Sequence, residues 1–214
     1  MKRMFQRATY YILGIIVLTL GIALTIQSHM GTSPFDALLV GLYRTFGLTI
    51  GSWEIVVGFS MILFNAIAER RIPELIALAT SLLTGAFIDV WVFTINNWIH
   101  PQVFSMQMLC LLAGMVISAL GISINLQADF APNPFDRTML VVTKMTGWNV
   151  GFSRAVISVV LVTAAFFFGG AIGIGTLIIA LFSGTIIHFF MAYVQKLDQK
   201  IASHDLSSKE AVRR

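Results

Sequence analysis

Two short motifs, Ser33-Pro34-Phe35-Asp36 and Asn133-Pro134-Phe135-Asp136, concentrate the polar chemistry of this sequence. Serine and asparagine are good helix N-caps, because the side-chain oxygen accepts a backbone N–H that has no partner inside the helix. Proline suits the first helical position, where no N–H is needed. Aspartate at the third position complements the positive end of the helix and can complete a capping box. Each motif therefore predicts a helix start, and capping is the plainest account of these residues. A helix start can also hold an anion or carboxylate on its free N–H groups. Asp36 and Asp136 already occupy that field, which favours a zwitterion, a cation or a proton-linked solute over a full anion.

Other polar residues stand inside apolar stretches. Gln27 and Gln127, with Thr25 and Asn125 nearby, read first as interhelical hydrogen-bonding groups and second as lining a route to the helix starts. Gly85-x-x-x-Asp89 and Gly184-x-x-x-His188 each place a small and a polar residue on one helix face. An ionisable group within a spanning helix usually faces a partner or a cavity. Histidine titrates near neutrality, so a proton-coupling role stands beside the plainer one of an interior hydrogen bond. Glu54 and Arg154 read as residues at helix starts, and Asn65 as a packing polar group. Candidates for a substrate or ion pathway are thus Gln27, Ser33, Asp36, Asp89, Gln127, Asn133, Asp136 and His188.

These residues must be positioned by an unusually apolar chain. Of 214 residues, 57% are hydrophobic and 11% charged, and the mean hydropathy is +0.85. A soluble domain carries about 25% charged residues. The composition excludes a soluble enzyme, a nucleic-acid binder and a disordered regulator, and leaves an integral membrane protein. A lone Cys110 cannot form an internal disulfide and reads as packing. Six runs approach the roughly 20 residues that a spanning helix needs. They are Tyr10–Ile26, Ser52–Ala68, Leu75–Ile95, Met106–Leu126, Ala155–Phe168 and Ile174–Val194. The fifth reaches spanning length only if it starts near Gly151 and takes Arg154 into an interfacial turn. Pro34–Phe46 and Pro134–Thr146 are too short and too charged to cross comfortably. Gly169, Gly170, Gly173 and Gly175 predict a flexible turn without a phosphate-binding pattern. A basic head (Lys2, Arg3, Arg7) precedes the first run. A polar tail follows Gln195 and is expected in water or on the membrane surface.

The chain matches itself at a shift of 100 residues. Between 21 and 58 there are nine identities in 38 positions, including Gly21/Gly121, Gln27/Gln127, the Pro-Phe-Asp triplets, Gly47/Gly147 and Gly51/Gly151. Two structural halves follow. If each Pro-Phe-Asp segment spans, each half has four crossings and the halves are parallel. If it enters and returns, each has three, and the second half is inverted, as in many transporters. With the N-terminus in the cytoplasm, the re-entrant arrangement puts 13 of the 14 Lys and Arg residues on the cytoplasmic side and only Arg44 outside. The eight-span arrangement moves Arg70 and Arg71 outside, so the positive-inside tendency favours re-entry. The expected fold is an all-α polytopic membrane protein of two inverted repeats. Its layout is a basic head (1–8), a first repeat (9–98), an external loop (99–105), a second repeat (106–194) and a polar cytoplasmic tail (195–214).

The Gly21…Gln27…Gly31-x-Ser33-Pro34-Phe35-Asp36 stretch, the Gly47/Gly51 pair and Gly173-Ile174-Gly175-Thr176-Leu177 before Gly184 resemble the YczE/YyaS/YitT group of bacterial integral membrane proteins. The second repeat departs from that pattern in having Ala131 where the first has Gly31. The resemblance covers nearly the whole chain except the tail. It implies a bacterial cytoplasmic-membrane protein and no particular activity. No H-E-x-x-H, paired-cysteine or G-x-S-x-G pattern is present, so no enzyme and no cofactor are expected. The leading expectation is a small-solute secondary transporter or facilitator that binds near the paired Pro-Phe-Asp helix starts. The alternative is a non-transporting regulator or assembly partner that docks another protein through the basic tail. The expected partners are the lipid bilayer and an unidentified small solute. A homodimer is an option without a residue-level argument, and nucleic acid is not a partner.

Overall fold

A computed structural model describes residues 2–128, 130 and 133–212, with side chains placed over 7–128, at 130, over 133–196 and at 198. The described residues form helices joined by short turns, in the order α1 (Lys2–Gln27), α2 (Pro34–Phe46), α3 (Ile50–Glu69), α4 (Leu75–Asn96), α5 (Phe104–Gln127), α6 (Pro134–Thr146), α7 (Val150–Phe167) and α8 (Ile174–Val212). Six of them, all but α2 and α6, are long and apolar enough to cross a membrane. Both short helices begin and end as their sequences require. Ser33 and Asn133 cap the starts with Pro at the first position, and Gly47 and Gly147, both at positive φ, end them. A residue with a Cβ is strained in that backbone region, and glycine is not.

The central axis is α1 packed on α5. Gly14 lies against Asn125, Gly21 against Ser118, Gly114 against Thr25, and Gly121 against Leu18. Numbers rise on one helix as they fall on the other, so α1 and α5 run antiparallel. A Cβ at any of these four glycines would meet the neighbouring backbone, which is why the helices approach so closely. Around this axis α4 packs on α1 and α8 on α5, while α2 packs on α7 and α6 on α3. Each short helix therefore lies against the third helix of the other half.

One expectation changes here, and one is filled in. The polar segment after Gln195 is helical, because α8 continues to Val212. Lys, Gln, Ala and Ser are acceptable helix formers, and loss of hydropathy does not end a helix. The glycine-rich segment between α7 and α8 is packed, not loose. Gly170 sits on Ala37 O, Gly173 on Met30 O, and the Gly175 N–H donates to Met30 O at 2.8 Å. These glycines let the turn fold back along α2.

Candidate functional site

Ser33 and Asp36 are held together at the start of α2. The Asp36 N–H donates to Ser33 Oγ at 3.2 Å, and the Ser33 hydroxyl donates to Asp36 Oδ2 at 2.6 Å. At the start of α6, the Phe135 N–H donates to Asn133 Oδ1 at 3.0 Å. The two starts meet. The Phe35 and Phe135 rings lie 5.9 Å apart, centroid to centroid. Asp36 is buried, Asp136 partly so. Arg154 reaches over the Phe135 ring at 5.9 Å and attracts Asp136.

On α3, which packs against α2, Glu54 is only 1% exposed and near enough to Asp36 for the two carboxylates to repel each other, and Glu54 Oε1 has no partner. The sequence places Glu54 three residues after Gly51, on the face of α3 that carries Gly51, Gly58, Ile62 and Asn65. That face is turned into the protein. Read alone, a glutamate near a helix start suggests an interfacial position. The signal that finds it is its helical spacing from the small residues of that stripe. Arg154 lies near the start of α7, which begins at Val150 as its sequence requires for a spanning length, and it is partly buried.

The buried stripe of α3 packs on Ala77, Thr80, Ser81, Thr84 and Gly85 of α4. The Tyr11 hydroxyl donates to Thr80 Oγ1 at 2.7 Å. Ser81 Oγ, Thr84 Oγ1 and both amide atoms of Asn65 are buried without a partner. A small open cleft lies at the α3–α4 turn, and Asn65, Glu69, Arg71, Glu74, Pro134 and Arg137 are among its lining residues. Arg137 straddles it, pairing with Glu69 at 2.8 Å and Glu74 at 2.9 Å. Lys144 adds a second bond to Glu69 at 3.2 Å.

Four of the eight candidates from the sequence, Ser33, Asp36, Asn133 and Asp136, are thus at the meeting point of the short helices. The other four are elsewhere. Gln27 donates to Ile99 O at 2.7 Å, just past the end of α4, and Gln127 to Asp198 Oδ2 at 3.4 Å, within α8, so each ties a helix end to a neighbouring segment. Asp89 caps α3, with Oδ1 accepting from the Gly51 N–H at 2.7 Å and Oδ2 from the Thr49 hydroxyl at 2.6 Å. A free carboxylate for proton transfer is replaced there by one that satisfies a helix start. His188 lies on an exposed face of α8. Cys110 is buried, and its thiol donates to Leu24 O at 3.3 Å. Ala131, the departure from Gly31, lies outside the described residues.

A profile described as "Family of unknown function (DUF6198)" matches residues 5–192. The chain is 42% identical over 187 residues to "Uncharacterized protein YyaS" of Bacillus subtilis (strain 168), covering 87% of this chain and 93% of that protein. It is 32% identical over 212 residues to "Uncharacterized membrane protein YczE" of the same organism, covering 97% and 96%. An "Uncharacterized protein" of Haemophilus influenzae is 19% identical over 193 residues, 90% of this chain and 87% of the relative. No solved structure matches.

Proposed function

The chain belongs to the DUF6198 family of multi-pass membrane proteins, and on that premise we propose that it is a small-solute secondary transporter of the bacterial cytoplasmic membrane. Its solute is a small zwitterion or cation. The observation that carries this reading is the meeting of the two short helix starts at Phe35 and Phe135, with carboxylates on both sides and one arginine. An ammonium group would be held by Asp36, and a carboxylate by Arg154. Irregular backbone at membrane depth is tolerated where it is buried in protein or lines a cavity, and paired half-helices at matching positions are a common form of transporter site.

In this proposal the two repeats are inverted, α2 and α6 enter and return, and both termini are cytoplasmic. Several pairings support it. The matching helices α1 and α5 run antiparallel. Arg44 Nη1 donates to Gly169 O at 2.9 Å, and its counterpart Lys144 bonds Glu69, the counterpart of Gly169. The cleft beside Arg71 then opens to the cytoplasm, and movement of one half on the other would alternate access. Kinship with the YitT group belongs to the same proposal, as does the absence of enzyme activity.

Purified protein in vesicles, offered a panel of labelled amino acids, betaines and small amines, should accumulate at least one of them. Asp36→Asn with Asp136→Asn should abolish that uptake while the protein still elutes as a folded species. No flux and no binding across the panel removes the proposal. Cysteine labelling tests the topology: the Arg70 turn should react only from the cytoplasmic side and the His100 turn only from outside. The reverse result removes the inverted arrangement.

A further inference from the structure

Asp36 and Glu54 set a charge problem that the second repeat does not share. Burying an ionised carboxylate without a partner is costly, and two like charges in one site cannot both ionise freely. Asp36 receives one hydrogen bond, from Ser33, while Glu54 Oε1 receives none. The charged groups on the surrounding elements do not relieve the pair. Asp89 of α4 is bound to the start of α3, Asp136 of α6 adds negative charge, and Arg154 of α7 faces Asp136 and the Phe135 ring. On α1 the tie to α4 is neutral, Tyr11 to Thr80. Among the described residues, no cation is paired with either carboxylate of this site.

We propose that Asp36 and Glu54 form one proton-binding site, sharing a single proton and exchanging it with the compartment at the Glu69 end through the α3–α4 seam. The route is marked by polar atoms without partners. From Glu54 it passes Thr84 and Ser81, whose hydroxyl lies against Gly58, and reaches the Asn65 amide at the cleft. Buried polar atoms nearly always have a partner, from protein or from water, so this seam is the place for ordered water. Eleven residues of helix from 54 to 65 span roughly 16 Å. The step is a bare proton transfer between a carboxylate oxygen and water, with no change of oxidation state. As the coupling element of a transport cycle this rests on the transporter reading; as a proton site it stands without it.

Infrared difference spectroscopy of the full-length protein in lipid vesicles tests the pair directly. At neutral pH the wild type should show the C=O band of a protonated carboxyl group, shifted when D2O replaces water. The band should survive Asp136→Asn, change frequency or disappear in Glu54→Gln and in Asp36→Asn, and be absent from the double variant. No such band in the wild type, or one that persists in the double variant, overturns the site. Should the double variant fail to fold, Glu54→Asp serves instead, and an unchanged band there overturns it equally. A spectrum of carboxylates alone that responds to added sodium assigns the pair to a metal cation and also overturns it. Asn65→Leu should slow the D2O shift several-fold, and equal rates overturn the route. The band without solute flux upholds the proton site and removes the transporter, whereas flux without the band does the opposite.

Discussion

In the first repeat α3 and α4 are locked together where Gly51 meets Gly85, and a Cβ on either would strike the other's backbone carbonyl. In the second repeat the matching Gly151 meets only Asn149 of its own turn, Gly184 meets nothing, and α7 barely touches α8. The central charges differ in the same sense. Asp36 faces a carboxylate, Asp136 faces an arginine. One motif pair therefore organises two unlike surroundings. The first is a closed seam with buried polar atoms. The second is a charge-balanced site beside an open helix pair.

The closed seam gives the largest contrast. Gly85→Leu inserts side-chain atoms where backbone meets backbone, and overpacking costs about 1–3 kcal/mol even where neighbours can shift. Here they cannot, so the variant should lose about 3 kcal/mol or more and yield little monodisperse protein. Gly184→Leu, at the matching site, should stay within about 0.5 kcal/mol. Thermal unfolding in one detergent measures both. Equal losses would show that α7 and α8 close as α3 and α4 do.

The charge contrast comes next. Arg154→Met removes the cation that attracts Asp136; the two are not a direct ion pair, so a loss of about 1 kcal/mol or less is expected. Glu54→Gln removes a repulsion from Asp36 and should leave stability unchanged or raise it. The two melting curves read in parallel decide it, and destabilisation by Glu54→Gln would break the contrast.

How much of this was legible beforehand follows from what each residue must do locally. The short helices Pro34–Phe46 and Pro134–Thr146 have the bounds the sequence predicts, because Ser33, Asn133, Gly47 and Gly147 act within one turn of themselves. The six long helices are legible because hydropathy follows length. Glu54 was not legible as a central residue. Its depth is set by where α2 lies against α3, a contact between elements. The same holds for Asp89, whose partners Thr49 and Gly51 come from a neighbouring helix. The Gly14/Gly114 match, seven residues before Gly21/Gly121, was readable in the repeat and marks the α1–α5 crossing.

The latches at the outer ends of α2 and α6 contrast more mildly. Lys144 and Arg137 share Glu69, while Arg44 holds only the Gly169 carbonyl. Exposed ion pairs contribute about 0–1 kcal/mol, and networks lie at the upper end. Glu69→Gln should therefore lower stability more than Arg44→Ala does, and weaken its salt dependence. Arg44→Ala should cost only a few tenths. A chemical melt at low and high ionic strength measures both.

The smallest contrast lies in the glutamines. Gln27 bonds Ile99 O at 2.7 Å, well inside hydrogen-bonding range, whereas Gln127 reaches Asp198 only at 3.4 Å. Interhelical hydrogen bonds in membranes average about 0.6 kcal/mol. Gln27→Leu should cost about that, because the Ile99 carbonyl is left facing an alkyl group. Gln127→Leu should cost less, since α8 carries Asp198 into its polar segment, where water can replace the amide. A double variant should show the sum of the two, because they lie at opposite ends of the antiparallel α1–α5 pair and share no partner. Coupling between them would mean that the two ends of the protein move together, and the independence of the repeats would have to be given up.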